Sequence, residues 1–148
     1  NMVFYTHDNL SGNNVTAFSV AGLNGSSSSA GKFGTVVVMS DDVTKRPKIN
    51  ESDADNTVGR AQGIFVNTNL VTGLDTLLVF TVIFHDMEYG GSTLEIQGTD
   101  RFAYPHREVA VVGGTGKFRF ARGYAILTTE LLSGTDSVIK FNTTLRTA

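Results

Sequence analysis

Apolar and polar residues alternate along most of this chain with a period of two, and almost nowhere with the period of a helix. The alternating runs are rich in Val, Ile, Phe and Thr and are punctuated by glycine, which is the pattern of short β-strands. Strands are predicted over Val3–His7, Ala17–Gly22, Gly34–Met39, Val58–Asn67, Leu74–His85, Ser92–Gln97, Glu108–Val112, Arg122–Leu132 and Ser137–Arg146, some of them merging or bending. In the last run Ile139, Phe141 and Leu145 point one way, while Val138, Lys140, Asn142, Thr144 and Arg146 mostly face water. Leu74–His85 is different. Leu77, Val79 and Ile83 make one face and Leu78, Phe80, Val82 and Phe84 the other, so this strand is expected to be covered on both sides.

Without helices to supply that cover, a second subunit is the expected source. Many antiparallel strands lacking edge protection also favour closure on themselves. The pattern therefore predicts an all-β fold, a closed antiparallel barrel that oligomerises through an apolar outer strip, with a two-layer sandwich as the alternative. Three polar stretches read as connections: Asn24–Gly31, the long segment Asp41–Asn56 with one of the two prolines, and a hairpin turn at "EYGGST".

Composition narrows the function. The 148 residues fit one domain. The net charge of −2, with no cluster of Lys and Arg, argues against nucleic acid. No apolar run approaches the ~20 residues of a membrane-spanning helix. There is no cysteine, which excludes disulfides, Cys-ligated metals and thiol chemistry. Five glycosylation sequons, at Asn9, Asn14, Asn24, Asn50 and Asn142, exceed the roughly two expected by chance and favour a secreted protein, with Asn14, Asn24, Asn50 and Asn142 as the candidate sites; Ser/Thr richness in loops is the competing explanation. The chain starts at Asn1 without an initiator methionine and shows no signal peptide, so a leader is expected either to have been removed or to lie outside this sequence.

Two stretches carry candidate chemistry. "VAVVGGTGKF", Val109–Phe118, looks like the glycine turn of a dinucleotide site, but Arg119 stands where the third glycine belongs and the following residues turn strand-like. Gly113, Gly114 and Gly116 are instead expected to form a tight turn with positive φ at a barrel rim, followed by a short helical turn from Lys117 to Ala121. Upstream, "GTDRFAYPHRE", Gly98–Glu108, is dense in charge. Asp100 and Arg107 can flank a turn at Pro105 and face one cavity, or form a structural salt bridge beside it. Burial would raise the carboxyl pKa and the guanidinium would oppose that, so the net value stays open. Three scattered histidines make a poor metal site. His7 is expected to face outward, opposite Asp8.

"FYTHD" at Phe4–Asp8, "GRAQG" at Gly59–Gly63, "LEIQGTD" at Leu94–Asp100 and "REVAVVGGTGKFRFARGYA" at Arg107–Ala125 together resemble the dirigent family of plants, in the family's order and over nearly the whole chain. The resemblance implies a secreted, eight-stranded antiparallel β-barrel, usually a homotrimer. It would bind planar phenolic intermediates and control the stereochemistry of bond formation. Some members steer phenoxy radicals made by a separate oxidase such as a laccase or peroxidase. Others, the pterocarpan synthases, close a ring through a quinone methide after an isoflavanol loses water. Asp100, Arg107 and Asp8 match the family's pocket aspartate, arginine and early "HD" aspartate. Where lignan-forming members carry tyrosines this chain has Ile64, Phe65, Val66 and Asn67, and the family's "DDPLT" reads "SDDVT", with Ser40 for the first aspartate.

The expectation is thus a phenol-binding barrel in the apoplast, with Asp100, Arg107 and Asp8 as its chemical groups. Phe65, Asn67, Phe102, Tyr104 and Phe33 are candidate substrate contacts, and no metal or cofactor is implied. It acts either as a guide of coupling without proton chemistry or as a pterocarpan-synthase-like dehydratase; a cell-wall binding module is the third possibility. A barrier difference of about 2–3 kcal/mol between two faces gives roughly 30- to 150-fold selectivity, which orientation in a rigid cavity can supply.

Overall fold

The computed structural model describes residues 1–48 and 53–148. Nine strands follow in chain order: β1 (Met2–Asp8), β2 (Ala17–Ala21), β3 (Val36–Thr44), β4 (Thr57–Asn67), β5 (Asp75–Phe84), β6 (Thr93–Arg101), β7 (Arg107–Thr115), β8 (Arg122–Ser133) and β9 (Asp136–Arg146). The sheet runs β1-β9-β8-β7-β6-β5-β4-β3-β2, and a further antiparallel pairing of β1 with β3 closes it. β1 pairs with the far end of β3 (His7↔Asp42) and β2 with its near end (Ala17↔Met39), so the two share one place in the wall. The result is a closed eight-stranded antiparallel barrel, which among the described residues leaves no long unpaired edge.

Alternation dictates the inside. Leu78, Phe80, Val82 and Phe84 of β5 are buried, as are Val37, Met39 and Val43 of β3. One end of the barrel is plugged. A 3-10 turn at Gly116–Phe118 drops Phe118 onto Phe84 and Tyr89, with ring centroids 5.5 and 5.0 Å away. Gly116 has φ +58°, and a Cβ there would meet the Ser92 hydroxyl at 2.5 Å, so this turn requires glycine. Midway along, Phe4 stacks on Phe141 at 5.0 Å and Phe80 meets Phe141 edge-on at 5.8 Å. Beyond that aromatic layer the barrel is hollow.

The outer face of β2–β5 carries an apolar row. Phe18, Val38, Ile64 and Val79 are register neighbours across four strands and are 58, 43, 36 and 41% exposed. Both faces of β5 are therefore apolar, but only the inner one is covered within the chain.

Several expectations change. Asp41–Thr44 belongs to β3 and not to a loop, because Asp41 and Val43 continue the buried side of the alternation. Gly113 and Gly114 lie inside β7, and of the three glycines only Gly116 has positive φ. His7 is 5% exposed, and so is covered even though its side chain leaves the barrel wall outward. The chain leaving β3 supplies that cover. Nε2 of His7 donates to Thr44 Oγ1 at 2.7 Å, and that hydroxyl donates to Arg46 O at 2.6 Å. Asn56, 2% exposed, pins the same segment by accepting from Arg46 N and donating to Lys48 O. Val138, expected to face water, pairs with His7 across the β1–β9 ladder and is 8% exposed.

Candidate active site

The open end of the barrel holds a cavity of about 280 Å³. Its floor is the aromatic layer, with Phe65, Phe80, Leu127, Ile139 and Phe141 on the walls, and Leu10, Ala30, Leu74 and Leu132 border it higher up. Against this apolar lining stand a few polar groups: Asp8, Asp41, Asn67, Thr76 and Asp100 among them. A small cavity of this kind, mostly apolar with sparse polar groups, is the architecture of a small-molecule site.

Asp100 ends the inward alternation of β6 and Arg107 begins β7, so the Phe102–His106 turn folds one back on the other. Arg107 Nε donates to Asp100 Oδ1 at 2.7 Å and Nη2 lies 3.5 Å from Oδ2. Both residues are buried. The guanidinium also sits over the Phe102 ring, 5.2 Å from its centroid. Of this pair only Asp100 lines the cavity; Arg107 holds it from behind. The salt-bridge alternative is thus the one the turn forms, and of the two side chains expected to face one cavity only the Asp100 carboxylate does so.

Asp8 and Asp41 form the second polar centre. The β1–β3 ladder pairs His7 with Asp42, and one step further along brings Asp8 beside Asp41 on the inner wall. Burial pushes the Asp8 carboxyl up to about 6, with Asp136 adding to the shift. Burial, with the neighbouring Asp8 charge adding to it, pushes the Asp41 carboxyl up to about 8. A hydrogen bond from Thr16 Oγ1 at 2.6 Å and the charge of Arg60 oppose that rise. Two carboxyls in this relationship hold a proton between them near neutrality. Oδ1 of Asp8 is buried without a hydrogen-bond partner.

Loops bind the mouth to these strands. Asp136, in the β8–β9 hairpin, accepts from Leu10 N at 2.8 Å and Ser11 N at 3.0 Å, tying the excursion between β1 and β2 over the cavity. His7 lies on the opposite side of the wall, where burial lowers its pKa and Asp42 partly restores it.

Of the anticipated contacts, Phe65, Asn67 and Phe102 border the cavity. Phe33 and Tyr104 do not. Phe33 is 37% exposed in the connection before β3, and Tyr104 is 51% exposed on the turn, where its hydroxyl accepts from Arg101 Nη2 and its ring lies against that guanidinium. Tyr104 is drawn outward because Arg107 fills the inner side of the turn. Asp41 was missed. The signal for it was the unbroken alternation Val37, Met39, Asp41, Val43. Asn14, Asn24 and Asn142 are exposed, and Asn50 lies outside the described residues.

A closed barrel with one apolar, carboxyl-edged cavity defines the class of protein. The dirigent-like protein family matches residues 1–146, and the chain belongs to that family. It is 38% identical to Dirigent protein 11 of Arabidopsis thaliana over 139 residues, which is 94% of this chain and 69% of that protein. It is 44% identical to Pterocarpan synthase 1 of Glycyrrhiza echinata over 123 residues, 82% of this chain and 63% of that one. The solved pterocarpan synthase dirigent protein GePTS1 superposes with a TM-score of 0.86 at 36% identity, covering 97% of this chain and 82% of its own.

Proposed function

We propose that the cavity holds a planar phenolic intermediate and fixes the face on which its new bond forms, with Asp8 and Asp41 moving the protons and Asp100 receiving a polar group of the ligand. The observation that carries this reading is the pair of carboxyls with raised pKa, Asp8 and Asp41, on one wall of an otherwise apolar cavity. A protonated carboxyl there can give its proton to a benzylic hydroxyl, which leaves as water. The neighbouring carboxylate takes the proton of a conjugated phenol, so the organic product is a neutral quinone methide. A second phenol of the same molecule then adds to it and closes the ring; its proton passes to the pair while the pair returns one to the former phenol oxygen, which restores the single shared proton. One water is lost and nothing is oxidised or reduced. Asp100, already neutralised by Arg107, is better suited to accept a ligand hydroxyl than to shuttle a proton.

The likeness to pterocarpan synthases supports the dehydrating form of this chemistry. Coupling of phenoxy radicals would use the same cavity with a separate laccase or peroxidase supplying the oxidation. We further propose a homotrimer joined through the Phe18–Val38–Ile64–Val79 row, secretion to the apoplast, and glycans on the exposed Asn14, Asn24 and Asn142. Incubation of the protein alone with an isoflavanol, and separately with a phenol plus a laccase, tests the function. Ring closure with an enantiomeric excess in the first arm supports the dehydrating form, and altered product handedness only in the second supports coupling. Racemic background in both contradicts the reading.

A further inference from the structure

Among the described residues, four buried side-chain polar atoms lack a hydrogen-bond partner: Asp8 Oδ1, Thr35 Oγ1, Asn67 Oδ1 and Thr143 Oγ1. Thr35 and Thr143 are not among the lining residues of the cavity, whereas Asp8 and Asn67 are. Asp8 has a role in the proton chemistry above. Asn67 has none, yet a buried amide acceptor left unpaired is costly, and such groups are rare in folded proteins.

Asn67 is fixed on every side but one. Its side chain is 2% exposed overall at the end of β4. Its backbone N–H donates to Thr35 O at 3.1 Å and its carbonyl accepts from Gly34 N at 2.8 Å. Nδ2 donates to Gly73 O at 2.7 Å. That bond decides the amide orientation, since only the nitrogen can donate to a carbonyl. The carbonyl comes from a position that requires glycine: Gly73 has φ +66°, and a Cβ there would meet Gly31 O at 2.1 Å. Among the described residues that oxygen accepts from no donor; even the hydroxyl of Thr35, the neighbour opposite it across the β3–β4 ladder, makes no hydrogen bond to it. The register Asn67↔Thr76↔Asp100 places it two strands from Asp100 on the inner face, about 10 Å between Cα positions at normal strand spacing.

We propose that Asn67 Oδ1 accepts a hydrogen bond from a hydroxyl of the bound molecule, and that this contact makes Asn67 a specificity residue that selects ligands bearing a second hydroxyl remote from the one at Asp100. The proposal rests on the phenolic reading of the cavity and adds to it the requirement for two separated hydroxyl donors. A ligand with hydrogen at that position leaves the amide oxygen buried and unpaired, so discrimination comes from the protein's loss and not from bulk.

The test is equilibrium binding of stable probes that lack the reacting alcohol: a dihydroxyisoflavan and its two monodeoxy analogues, each missing one hydroxyl. The full chain is titrated by calorimetry, as wild type and as Asn67→Leu. Wild type is expected to bind the diol about tenfold or more tighter than one of the monodeoxy analogues. In Asn67→Leu that preference is expected to shrink to within about threefold, whatever the general effect of the substitution on affinity, because each variant is its own reference. Equal binding of all three probes by wild type overturns the role of Asn67 while leaving a phenol-binding cavity in place; this arm needs no variant. An undiminished preference in Asn67→Leu also overturns it, since the hydroxyl is then read elsewhere. Failure of wild type to bind any probe removes the phenolic reading and this inference with it.

Discussion

Arg107 Nε lies 2.7 Å from Asp100 Oδ1, with the two side chains only 2 and 7% exposed. A pair sealed this well is a structural fixture as well as a feature of the site. Removing one partner strands a buried charge, whereas replacing both with apolar groups does not. Asp100→Ala is expected to destabilise the fold by about 3–5 kcal/mol, and Asp100→Leu combined with Arg107→Met to recover much of that loss while abolishing stereocontrol. Thermal and urea unfolding followed by circular dichroism reads the first effect, and chiral chromatography the second. A stable, fully selective Asp100→Ala protein contradicts the assignment.

Stability should fall with rising pH because of Asp8 and Asp41. Both have ordinary values of 3.8 and are raised in the folded protein to about 6 and about 8. The folded state thus binds protons more tightly than the unfolded chain. Their contribution is fully present below the unfolded value and is lost as pH rises through the folded values. Asp41→Asn keeps an acceptor for Thr16 and removes the charge. It is expected to stabilise the protein at pH 8 by at least about 1 kcal/mol, the worth of one pKa unit, and to flatten the decline between pH 5 and pH 8. Denaturant unfolding across that range checks it; an unchanged slope contradicts the buried-pair description.

Much of this architecture was legible from alternation alone. β5 announced itself as apolar on both faces, and its outer residues Val79 and Ile83 are indeed 41 and 37% exposed in the single chain. The Asp100–Arg107 approach followed from a short turn between two strands. What stayed hidden were polar residues that the fold buries. Asp41 and Asp42 read as the start of a loop because adjacent carboxyls are rare in a strand, yet closure of β1 onto β3 puts one inside and one outside. His7 faces away from the cavity, as alternation requires, but the segment that leaves β3, 37 residues on at Thr44, folds over it, and no local pattern carries that. Tyr104, a candidate substrate contact in the sequence, turns outward and is 51% exposed, with its ring against Arg101 and not in the cavity.

The apolar row across β2–β5 predicts assembly. Val79→Glu with Ile64→Glu places two carboxylates in its centre and is expected to convert the oligomer to monomer, with the barrel intact by circular dichroism. Sedimentation velocity of both proteins at equal concentration decides it; a wild-type chain that already sediments as a monomer contradicts the proposed trimer.

The central claim is that a coupled carboxyl pair, Asp8 and Asp41, moves the protons in an apolar cavity. The pH dependence of kcat/KM for ring closure of an isoflavanol tests this most directly. A bell-shaped profile is expected, with limbs near pH 6 and pH 8 that belong to the pair as a unit. In Asp41→Asn the limb near pH 8 should vanish and the rate fall about a hundredfold or more, the usual scale of one general acid or base. A profile that stays flat from pH 5 to pH 9, with Asp41→Asn as fast and as enantioselective as wild type, would contradict the account.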